Sequence, residues 1–479
     1  MIVSGGATMA HVPHRYHLPT ALAPDVVRHP SRFRVLVRKH RLIGMVLREL
    51  WELEGPGRVR VALSRPCVYG VFSRPVGGLA PRHDRCVGCL RCTTQYPDVV
   101  QIVPNPARRR LGDRYVTPDC VDTIVYEART GRVPVRGAGY RGPFGGSGWD
   151  AMWTDMSEIV RPTRDGIHGR EYISTAVDIG AKPSFLRFGP DGSPREPRPR
   201  TFSLPVPFLF EPPRIPVGAA AVDRICAEAA ARIGTLALIP ARDLGGLGGV
   251  HVAPIVGPGD EAVLDRLPAA PRLVEVCDER LLERVRARWP DALVALRLEM
   301  GRDLRPACDR GWRVFHLTAD YHGRADGRFA LDHIRAAHEA LVEAGIREEV
   351  TLIGGGGIVM AEHVPKAIIC GLDAVALDLA LVVALQGVFT GEAAGREAPA
   401  LAVPHLVGRR LRRRRDLTAW GVQRLQNLAA SWRDQLLEVL GAMGLREVRR
   451  LRGEMGRAMF QADLEREAFE GIDGYAAAG

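Results

Sequence analysis

The sequence predicts an α/β barrel, in which eight parallel strands alternate with helices and close into a ring. Short apolar runs alternate with helix-like stretches from about Pro205 onward, and a run of glycines follows the seventh apolar run. Eight candidate strands within roughly 180 residues make a somewhat short barrel, and a doubly wound open sheet is the alternative. The candidate strands are VPFLF from Val206, GTLALIP from Gly234, HVAPIV from His251, PRLVEV from Pro271, ALVALRL from Ala292, RVFHLTA from Arg313, VTLIGGGG from Val350 and DAVALD from Asp373.

Three further regions flank the barrel and give four predicted domains. Residues 1–60 form a helical segment, because apolar side chains recur three or four apart between the arginines that follow Ser31. Residues 61–148 contain a cysteine cluster and end in a glycine-rich stretch that is typical of a domain junction. The barrel is assigned to residues 149–400, and residues 401–479 follow as helices that pack against it.

The composition indicates a globular protein of a reducing compartment. The 479 residues are 46% hydrophobic and 6% aromatic, which is ordinary for a chain that buries a core. Nine cysteines, three of them clustered, indicate a metal site in the cytoplasm rather than a disulfide framework. No stretch approaches 18 uncharged apolar residues, so we expect no membrane span.

The formal net charge of +11 comes almost wholly from arginine. Of the 66 basic residues, three are lysines and 63 are arginines, a skew that is typical of codon bias. The run RRLRRRRD from Arg409 therefore indicates a solvated helix entrance or loop, and we expect no nucleic-acid partner. The positive charge still favours an anionic cofactor or an acidic substrate.

The segment RCVGCLRCTTQYPDVV has the cysteine spacing of an iron-sulfur loop. Cys86, Cys89 and Cys92 supply three thiolates from one short stretch of backbone. Tyr96 precedes the proline where a ferredoxin loop closes with Cys-Pro, which indicates a single cluster with a remote fourth ligand.

The fourth ligand is Cys67 or Cys120. Cys67 is favoured, because its neighbours are typical of a loop whereas Cys120 precedes a strand-like run. With neither, the site would hold a three-iron cluster. Four thiolates also suit zinc, but zinc usually binds paired CxxC knuckles, so the spacing favours iron. Buried free cysteines are the remaining alternative.

The glycine run Gly354–Gly357 is a candidate phosphate site. It follows a strand and precedes a helix, so backbone amides and the positive end of a helix dipole would meet an anion there. A tight structural turn explains four glycines equally well. The next strand begins at the spacing expected of strand eight, and α/β barrels commonly bind phosphate at the loops after strands seven and eight.

Part of this chain resembles a known family. The stretch IRAAHEALVEAGIREEVTLIGGGGI through PKAIICGLDAVALDLALVVALQ, with VQRLQNLAASWRDQLLEVLGAMG after it, resembles the FMN-binding barrel of glutamate synthase. MSEIVRPTRDGIHGREYIST is similar to a segment of the shorter glutamate-synthase-like flavoproteins. The resemblance covers residues 150–460 approximately and points to a member without the glutaminase domain.

The resemblance implies a function. FMN would bind with its phosphate at Gly355, Gly356 and Gly357, near a 4Fe-4S or 3Fe-4S centre. The reaction would be reduction of 2-iminoglutarate, formed from 2-oxoglutarate and ammonia, to L-glutamate by hydride from flavin N5. The implied partners are an electron donor, either ferredoxin or an NADPH-dependent reductase, and a separate glutaminase chain.

The chain departs from the family pattern at several positions. Arg297 stands where the family has a lysine beside the flavin, and an arginine there would stabilise negative charge on the reduced ring. HLTADYHGRADG replaces a GGTGA loop. Asp378 replaces a Gly-Thr pair after strand eight, where a carboxylate repels a phosphate unless it is turned away or bridged. The sequence begins MIVSGG without a cysteine nucleophile, so ammonia would come free or from another chain.

Two polar segments are candidates for chemistry. HLTADYHG ends the sixth strand, where barrel enzymes place reactive groups, so Asp320 and His322 join Arg297 as predicted catalytic residues. A hydrogen-bonded loop explains the same pattern. The dense charges from Arg161 to Glu171 would clamp a dicarboxylate or connect cluster and flavin, or else form an ion-paired interface.

The sequence thus predicts a cytoplasmic iron-sulfur flavoprotein oxidoreductase of glutamate synthase type. A flavin oxidoreductase that acts on a different imine or carbonyl is one alternative. A non-catalytic electron-transfer or scaffold protein that keeps the barrel is the other, suggested by Asp378 and the missing GGTGA loop.

Overall fold

The structure is a computed structural model that describes most of the chain. The described residues are 16–52, 67–73, 78–134, 145–154, 173–183, 185, 187–193, 195, 200–265, 270–407 and 414–474. They belong to two compact units, one formed by Asp25–Asp113 and one formed by Met1–Pro24 with Arg114–Gly479. Among the helices described, none is long and apolar enough to cross a membrane.

The unit of Asp25–Asp113 is built on one antiparallel strand pair. Its elements are β1 (Phe33–Val37), α1 (Lys39–Glu52), α2 (Arg91–Gln95) and β2 (Val100–Pro104). The prediction of one helix from Ser31 onward is wrong for β1, because FRVLV carries β-branched valines and its backbone pairs with VQIVP in β2. The pairing joins part of the predicted 1–60 segment and the cysteine region in one unit.

In the other unit a strand pair lies against the barrel. The elements before the barrel are α3 (Pro118–Thr130), β3 (Met152–Thr154), β4 (Val177–Ala181) and β5 (Arg200–Leu204). Strands β4 and β5 pair antiparallel, and the Thr351 hydroxyl donates to the Gly180 carbonyl at 2.7 Å. Gly180 has φ +136°, and a Cβ there would lie 2.0 Å from the Arg200 carbonyl oxygen, so this position requires glycine.

Eight parallel strands close into a barrel, as predicted. They are β6 (Phe208–Phe210), β7 (Ala237–Pro240), β8 (Val252–Val256), β9 (Leu273–Val276), β10 (Leu293–Glu299), β11 (Val314–Thr318), β14 (Thr351–Gly355) and β15 (Ala374–Leu377). The ring follows chain order, and β15 pairs with β6 to close it. Each apolar run named above overlaps one of these strands, so the predicted barrel is confirmed.

Shorter strands and the remaining helices surround the barrel. The short strands are β12 (Arg324–Ala325), β13 (Arg328–Phe329), β16 (Val388–Phe389), β17 (Leu401–Ala402) and β18 (Ala458–Phe460), the last of which pairs with β3. The helices are α4 (Ala219–Ile233), α5 (Glu261–Leu264), α6 (Leu282–Arg288), α7 (Arg305–Asp309), α8 (Ala330–Glu343), α9 (His363–Ile369), α10 (Leu379–Ala384), α11 (Arg414–Ala442) and α12 (Gln461–Phe469).

The long C-terminal helix α11 packs through polar as well as apolar side chains. Arg424 is fully buried and donates to the carbonyl oxygens of Ala23 and Ala384. The Trp432 indole donates to Glu127 on α3 at 2.9 Å. Because these buried groups have partners, they fix α11 on the rest of its unit without the cost of a lost hydrogen bond. The predicted C-terminal helices are confirmed.

A buried carboxylate holds the amino end of the last barrel strand. Asp373 accepts hydrogen bonds from the guanidinium groups of Arg347 at 2.9 Å and Arg452 at 2.7 Å. The Leu352 amide donates to the same carboxylate at 2.8 Å. Burial alone would raise the pKa of Asp373, but the two arginines lower it below its ordinary value.

Replacing Asp373 by asparagine should destabilise the barrel. An unpaired buried charge remains on the arginines, which typically costs about 3 to 5 kcal/mol. Because the folded pKa is lowered, the stabilisation is present above the ordinary aspartate pKa of about 3.9 and disappears as the pH falls through the folded value. Denaturant unfolding of the Asp373→Asn variant at pH 7 and at acid pH tests this. Asp309→Asn, an exposed change, is the control, and equal losses in both variants would contradict the assignment.

Candidate active site

Six charged or titratable side chains meet at the carboxyl ends of the barrel strands. This barrel-mouth cluster consists of Glu211, Glu275, Arg297, His316, Asp378 and Arg396. The first five lie on barrel strands or directly after them, and Arg396 comes from the loop after β16. Barrel enzymes carry their chemistry at this end of the strands.

Arg297 is held between two buried carboxylates. Its guanidinium donates to Glu275 at 2.8 Å and to Glu211, and Arg396 also donates to Glu211 at 2.8 Å. Burial alone would raise the pKa of Glu211, yet Arg297 and Arg396 lower it well below its usual range. Both carboxylates are therefore ionised and offset the charge of the arginine that the sequence singled out.

His316 lies fully buried beside the same carboxylates. Its Nδ1 is 2.7 Å from Glu275 Oε1, and its Nε2 is 3.7 Å from Glu211 Oε2. Burial is the largest influence on Glu275, but His316 and Arg297 outweigh it and lower the pKa of that carboxyl. Since an ionised carboxylate only accepts hydrogen bonds, we assign the Nδ1 proton to the bond with Glu275.

Four buried polar atoms of the cluster have no hydrogen-bond partner among the residues that the structure describes. They are Glu211 Oε2, His316 Nε2, Asp378 Oδ2 and Arg396 Nη2. Unpartnered buried polar atoms are costly and uncommon in folded proteins. Their concentration at one end of the barrel indicates a place for a polar ligand or ordered water.

Asp378 caps the helix that follows the last barrel strand. Its Oδ1 accepts the Leu379 amide at 2.5 Å. Burial raises the pKa of Asp378 to about 7, because Arg396 and the Leu379 amide offset only part of the desolvation. Electrostatic interactions connect Asp378 to Glu211 and Arg396 on the barrel mouth and to His322 beyond it. The repulsion expected between this residue and an anion is therefore absent whenever Asp378 carries its proton.

The glycine loop is tightly packed by protein groups. The Gly357 amide donates to the Tyr321 carbonyl at 3.1 Å, and the Tyr115 hydroxyl donates to the Gly357 carbonyl at 2.7 Å. A Cβ at Gly357 would lie 2.6 Å from the Tyr115 hydroxyl, and one at Gly356 would lie 2.9 Å from the Asp320 carbonyl oxygen. These glycines therefore permit close chain packing, and the Gly357 amide already has a protein partner.

Asp320 and His322 lie next to this loop. Asp320 Oδ1 accepts the backbone amides of His322 at 2.9 Å and Arg324 at 2.7 Å, so this carboxylate fixes the turn. The half-buried His322 ring stacks on Tyr115 with 5.2 Å between ring centroids. Both residues line a cavity of about 410 Å³.

The cysteines of the iron-sulfur pattern lie together in the unit of Asp25–Asp113. Cys67 and Cys92 are buried in one apolar cluster, Cys86 packs against it and Cys89 is exposed. Burial is the main reason that the pKa values of Cys86 and Cys92 are raised, and Cys67 raises both further through its charge.

Tyr96, Cys120 and the charged segment that begins at Arg161 also bear on the predicted iron-sulfur site. Tyr96, in the place of the missing fourth cysteine, packs against that apolar cluster. Cys120 belongs to the other unit, where its thiol accepts the Thr117 hydroxyl at 3.3 Å near the start of α3. The charged segment Arg161–Glu171 lies outside the described residues.

Sequence reasoning missed several members of the barrel-mouth cluster. Glu275 lies inside the apolar run LVEV and Glu211 directly follows FLF, and a carboxylate in a fully buried strand is itself a signal of a polar site. Arg396, in a chain with 63 arginines, carried no such signal.

Replacing Asp378 by asparagine should have the opposite pH dependence to the Asp373 variant. Because the folded pKa is raised to about 7, the wild-type protein loses stability as the pH rises from about 4 to 7, while the unfolded chain ionises first. Asparagine keeps the oxygen that accepts the Leu379 amide and cannot ionise. The variant should therefore gain stability relative to wild type between pH 5 and pH 8 in denaturant unfolding. A stability difference that stays constant over this range would contradict a protonated Asp378.

No family model matches the chain. Over 78% of its length the chain is 24% identical to the archaeal-type glutamate synthase [NADPH] of Dehalococcoides mccartyi, and the match covers 86% of that protein. A shorter match is 36% identical over 127 residues, covering 26% of the chain and 24% of the archaeal glutamate synthase [NADPH] of Methanocaldococcus jannaschii.

Matches among solved structures include a double mutant of flavocytochrome b2 with pyruvate bound. Its TM-score is 0.37 at 10% identity, with 69% of the chain and 83% of that protein covered. Mandelate oxidase gives a TM-score of 0.36 at 15% identity, with 63% and 97% covered. These scores are too low to bear on chemistry. The match along most of the chain and the confirmed barrel agree: the chain is an oxidoreductase that is similar to the archaeal-type glutamate synthases.

Proposed function

We propose that this protein is a cytoplasmic iron-sulfur flavin oxidoreductase that reduces 2-iminoglutarate, formed from 2-oxoglutarate and ammonia, to L-glutamate. The observation that carries the proposal is the buried barrel-mouth cluster in a chain that is similar to the archaeal-type glutamate synthases. A barrel kept only as a support has no need of four buried titratable groups and two partly buried arginines at the end where barrel enzymes act.

The barrel mouth fits a flavin ring better than the glycine loop fits a flavin phosphate. The unpartnered atoms of Glu211, His316 and Arg396 offer both donors and acceptors, which suits the polar edge of an isoalloxazine ring. At the phosphate site proposed at Gly355–Gly357, the Gly357 amide already donates to the Tyr321 carbonyl and would have to change partner to bind a phosphate. FMN, when bound, would take electrons singly from the cluster and supply hydride.

We assign Arg297 a role in charge stabilisation at the barrel mouth. Its side chain is 13% exposed, and its position is fixed by Glu211 and Glu275. Because these two carboxylates already offset its charge, Arg297 would stabilise a developing negative charge less than an unpaired cation would. Arg396, with one unpartnered nitrogen, supplies a second positive charge at the same place.

His322 is the proposed general acid. Hydride addition to the imine carbon breaks the C=N π bond and leaves a nitrogen that must take up a proton. His322 lines the cavity beside the barrel mouth, and Asp320 positions it by holding the turn. Asp378, which titrates near neutral pH and interacts with His322, is suited to store the proton that His322 transfers.

The four cysteines support an iron-sulfur cluster with Cys67, Cys86, Cys89 and Cys92 as ligands. Cys67, Cys86 and Cys92 pack in one apolar cluster of the same unit, and the spacing of Cys86, Cys89 and Cys92 is typical of an iron-sulfur loop rather than of paired zinc knuckles. We propose 4Fe-4S, or 3Fe-4S if Cys67 does not bind.

The reaction needs partners as well as cofactors. A ferredoxin or an NADPH-dependent reductase would supply the electrons, and both relatives carry NADPH in their names. Ammonia would come from solution or from a separate glutaminase chain.

A second candidate function is a non-catalytic electron-transfer or scaffold role. The packed glycine loop favours it, because the Gly357 amide, which would bind a phosphate, already donates to the Tyr321 carbonyl. A flavin oxidoreductase that acts on another imine or carbonyl is a third, since HLTADYHGRADG lines the cavity with Asp320, His322 and Arg324. Anaerobic purification with FMN quantitation separates the scaffold from both enzymes.

Replacing Cys67 by serine should lower the iron bound per chain and replace the visible spectrum of a 4Fe-4S cluster with that of a 3Fe-4S cluster. The reason is loss of one of four thiolate ligands, with a three-iron cluster as the expected remainder. Cys120→Ser is the matched control and should leave iron and spectrum unchanged, because Cys120 lies in the other unit. Iron loss in Cys120→Ser, or zinc in place of iron in the wild type, would refute the ligand set.

Anaerobic protein loaded with FMN should form L-glutamate from 2-oxoglutarate, ammonium and a reduced dye. Replacing His322 by glutamine should lower kcat by about 10²-fold or more, the usual effect of losing a general acid. His251→Gln is the control, because His251 precedes β8 at the amino end of the barrel and binds the Thr235 carbonyl. Glutamate measured by chromatography decides the outcome. FMN binding without glutamate formation would favour a different imine or carbonyl substrate.

A further inference from the structure

The positive charge of this protein is concentrated in the unit that carries the cysteines. Residues 25–113 contain 17 arginines and lysines and seven aspartates and glutamates, a formal net charge of +10. The whole chain has +11, so the rest of the chain carries the remaining +1. Codon bias explains the choice of arginine over lysine, but it does not explain why the excess lies in this unit.

Exposed apolar side chains flank the cysteines within that unit. Val68 and Tyr69 follow Cys67 and are 71% and 49% exposed. Val87 and Leu90 lie beside Cys86 and Cys89 and are 45% and 51% exposed. Scattered exposed apolar residues are ordinary, but these lie next to three of the four proposed cluster ligands.

The loop that follows Cys67 and the loop that precedes Cys86 lie side by side. The Arg82 amide donates to the Val71 carbonyl at 2.8 Å, and the Arg85 guanidinium lies close to Gly70, where a Cβ would be 2.8 Å from Nη1. Leu90 has φ +59°, a left-handed conformation that a leucine rarely adopts, and it stays exposed at the start of α2. Strain at an exposed leucine suggests that the side chain serves something other than folding.

We propose that this surface, formed by Val68, Tyr69, Arg85, Val87, Leu90 and Arg91, docks a small acidic one-electron carrier protein. The proposal rests on the proposed function, since it assigns the entry point of electrons to the iron-sulfur site. Exposed Cys89 brings the cluster edge to the same surface. Apolar contacts at the centre with arginines around them are typical of a protein interface, and the charge steers an acidic partner toward it.

A nucleic acid is the other partner that a net charge of +10 would attract. It would bind through phosphate contacts to arginines and would gain little from Val68, Val87 or Leu90. The apolar side chains therefore favour a protein partner.

The test uses the full chain, purified anaerobically, with an acidic plant-type [2Fe-2S] ferredoxin as the probe. Binding is followed by biolayer interferometry at low and at physiological ionic strength. Cytochrome c, a basic redox protein, is the probe of opposite charge and should not bind. Iron per chain is measured in each sample, and only variants with wild-type iron are compared.

Two pairs of substitutions separate charge from apolar contact. Arg85→Gln with Arg91→Gln should lower the ferredoxin association rate about tenfold at low ionic strength and flatten its salt dependence. Val87→Ser with Leu90→Asn should raise the dissociation rate about tenfold and leave the salt dependence unchanged. Asparagine suits the left-handed backbone at position 90. If this second pair loses iron, Val68→Ser with Tyr69→Ser on the other loop replaces it.

Matched controls lie in the other unit. Arg224→Gln with Arg232→Gln on α4 removes the same charge, and Val342→Ser on α8 removes an apolar side chain that is 53% exposed. Both should bind ferredoxin as the wild type does. Equal binding of all variants, binding of cytochrome c, or tighter binding of an RNA duplex that depends only on the arginines would overturn the proposal.

The docking proposal and the reaction can fail separately. Glutamate formation with a reduced dye but no ferredoxin binding would refute the docking surface alone. Ferredoxin binding with the stated variant pattern, in a protein that forms no glutamate, would refute the reaction alone.

Discussion

The contact on which the barrel mouth depends is the buried pairing of Arg297 with Glu211 and Glu275. Two carboxylates in this setting would be costly without a cation between them, and the cation would be equally costly without them. The pairing also fixes the His316 ring. Glu275 accepts a hydrogen bond from His316 Nδ1, and the Arg297 guanidinium lies close to the same nitrogen. Removing any one of the three would leave an uncompensated charge in a closed space.

The two aspartates at the ends of β15 have different protonation behaviour because their surroundings differ. Asp373 at the amino end has two arginines and a backbone amide, so it is an anion that holds the barrel together. Asp378 at the carboxyl end has one oxygen without a partner and an arginine that balances its desolvation only in part. Asp373 therefore stabilises the fold, whereas Asp378 has a pKa at which it can gain or lose a proton near neutral pH.

The barrel was predictable because its strands are mainly apolar runs, as expected of parallel strands that are covered on both faces. The cysteine spacing and the preference for Cys67 over Cys120 also depend on short segments of chain, and this ligand set stays a prediction. The N-terminal helix was predicted too long, because FRVLV satisfies helical spacing as well as strand propensity and only its pairing with β2 decides. Glu211, Glu275 and Arg396 are far apart in the sequence, and no local sequence pattern predicts that their side chains contact the same group of residues. The packing of Tyr115 on Gly357 was unpredictable for the same reason, because 242 residues separate them.

Arg396 differs from its partners in the barrel-mouth cluster because it comes from a connecting loop rather than from a barrel strand. That loop is attached by the Tyr321 amide, which donates to the Ala394 carbonyl at 2.8 Å, and by the guanidinium of Arg396 over the Tyr321 ring at 4.9 Å. Loops accept insertions and substitutions that strands do not. Natural selection can therefore alter the balance of positive and negative charge at the mouth through one loop, leaving the eight strands and their packing untouched. A barrel of this kind can change its substrate preference through this loop without a loss of folding stability.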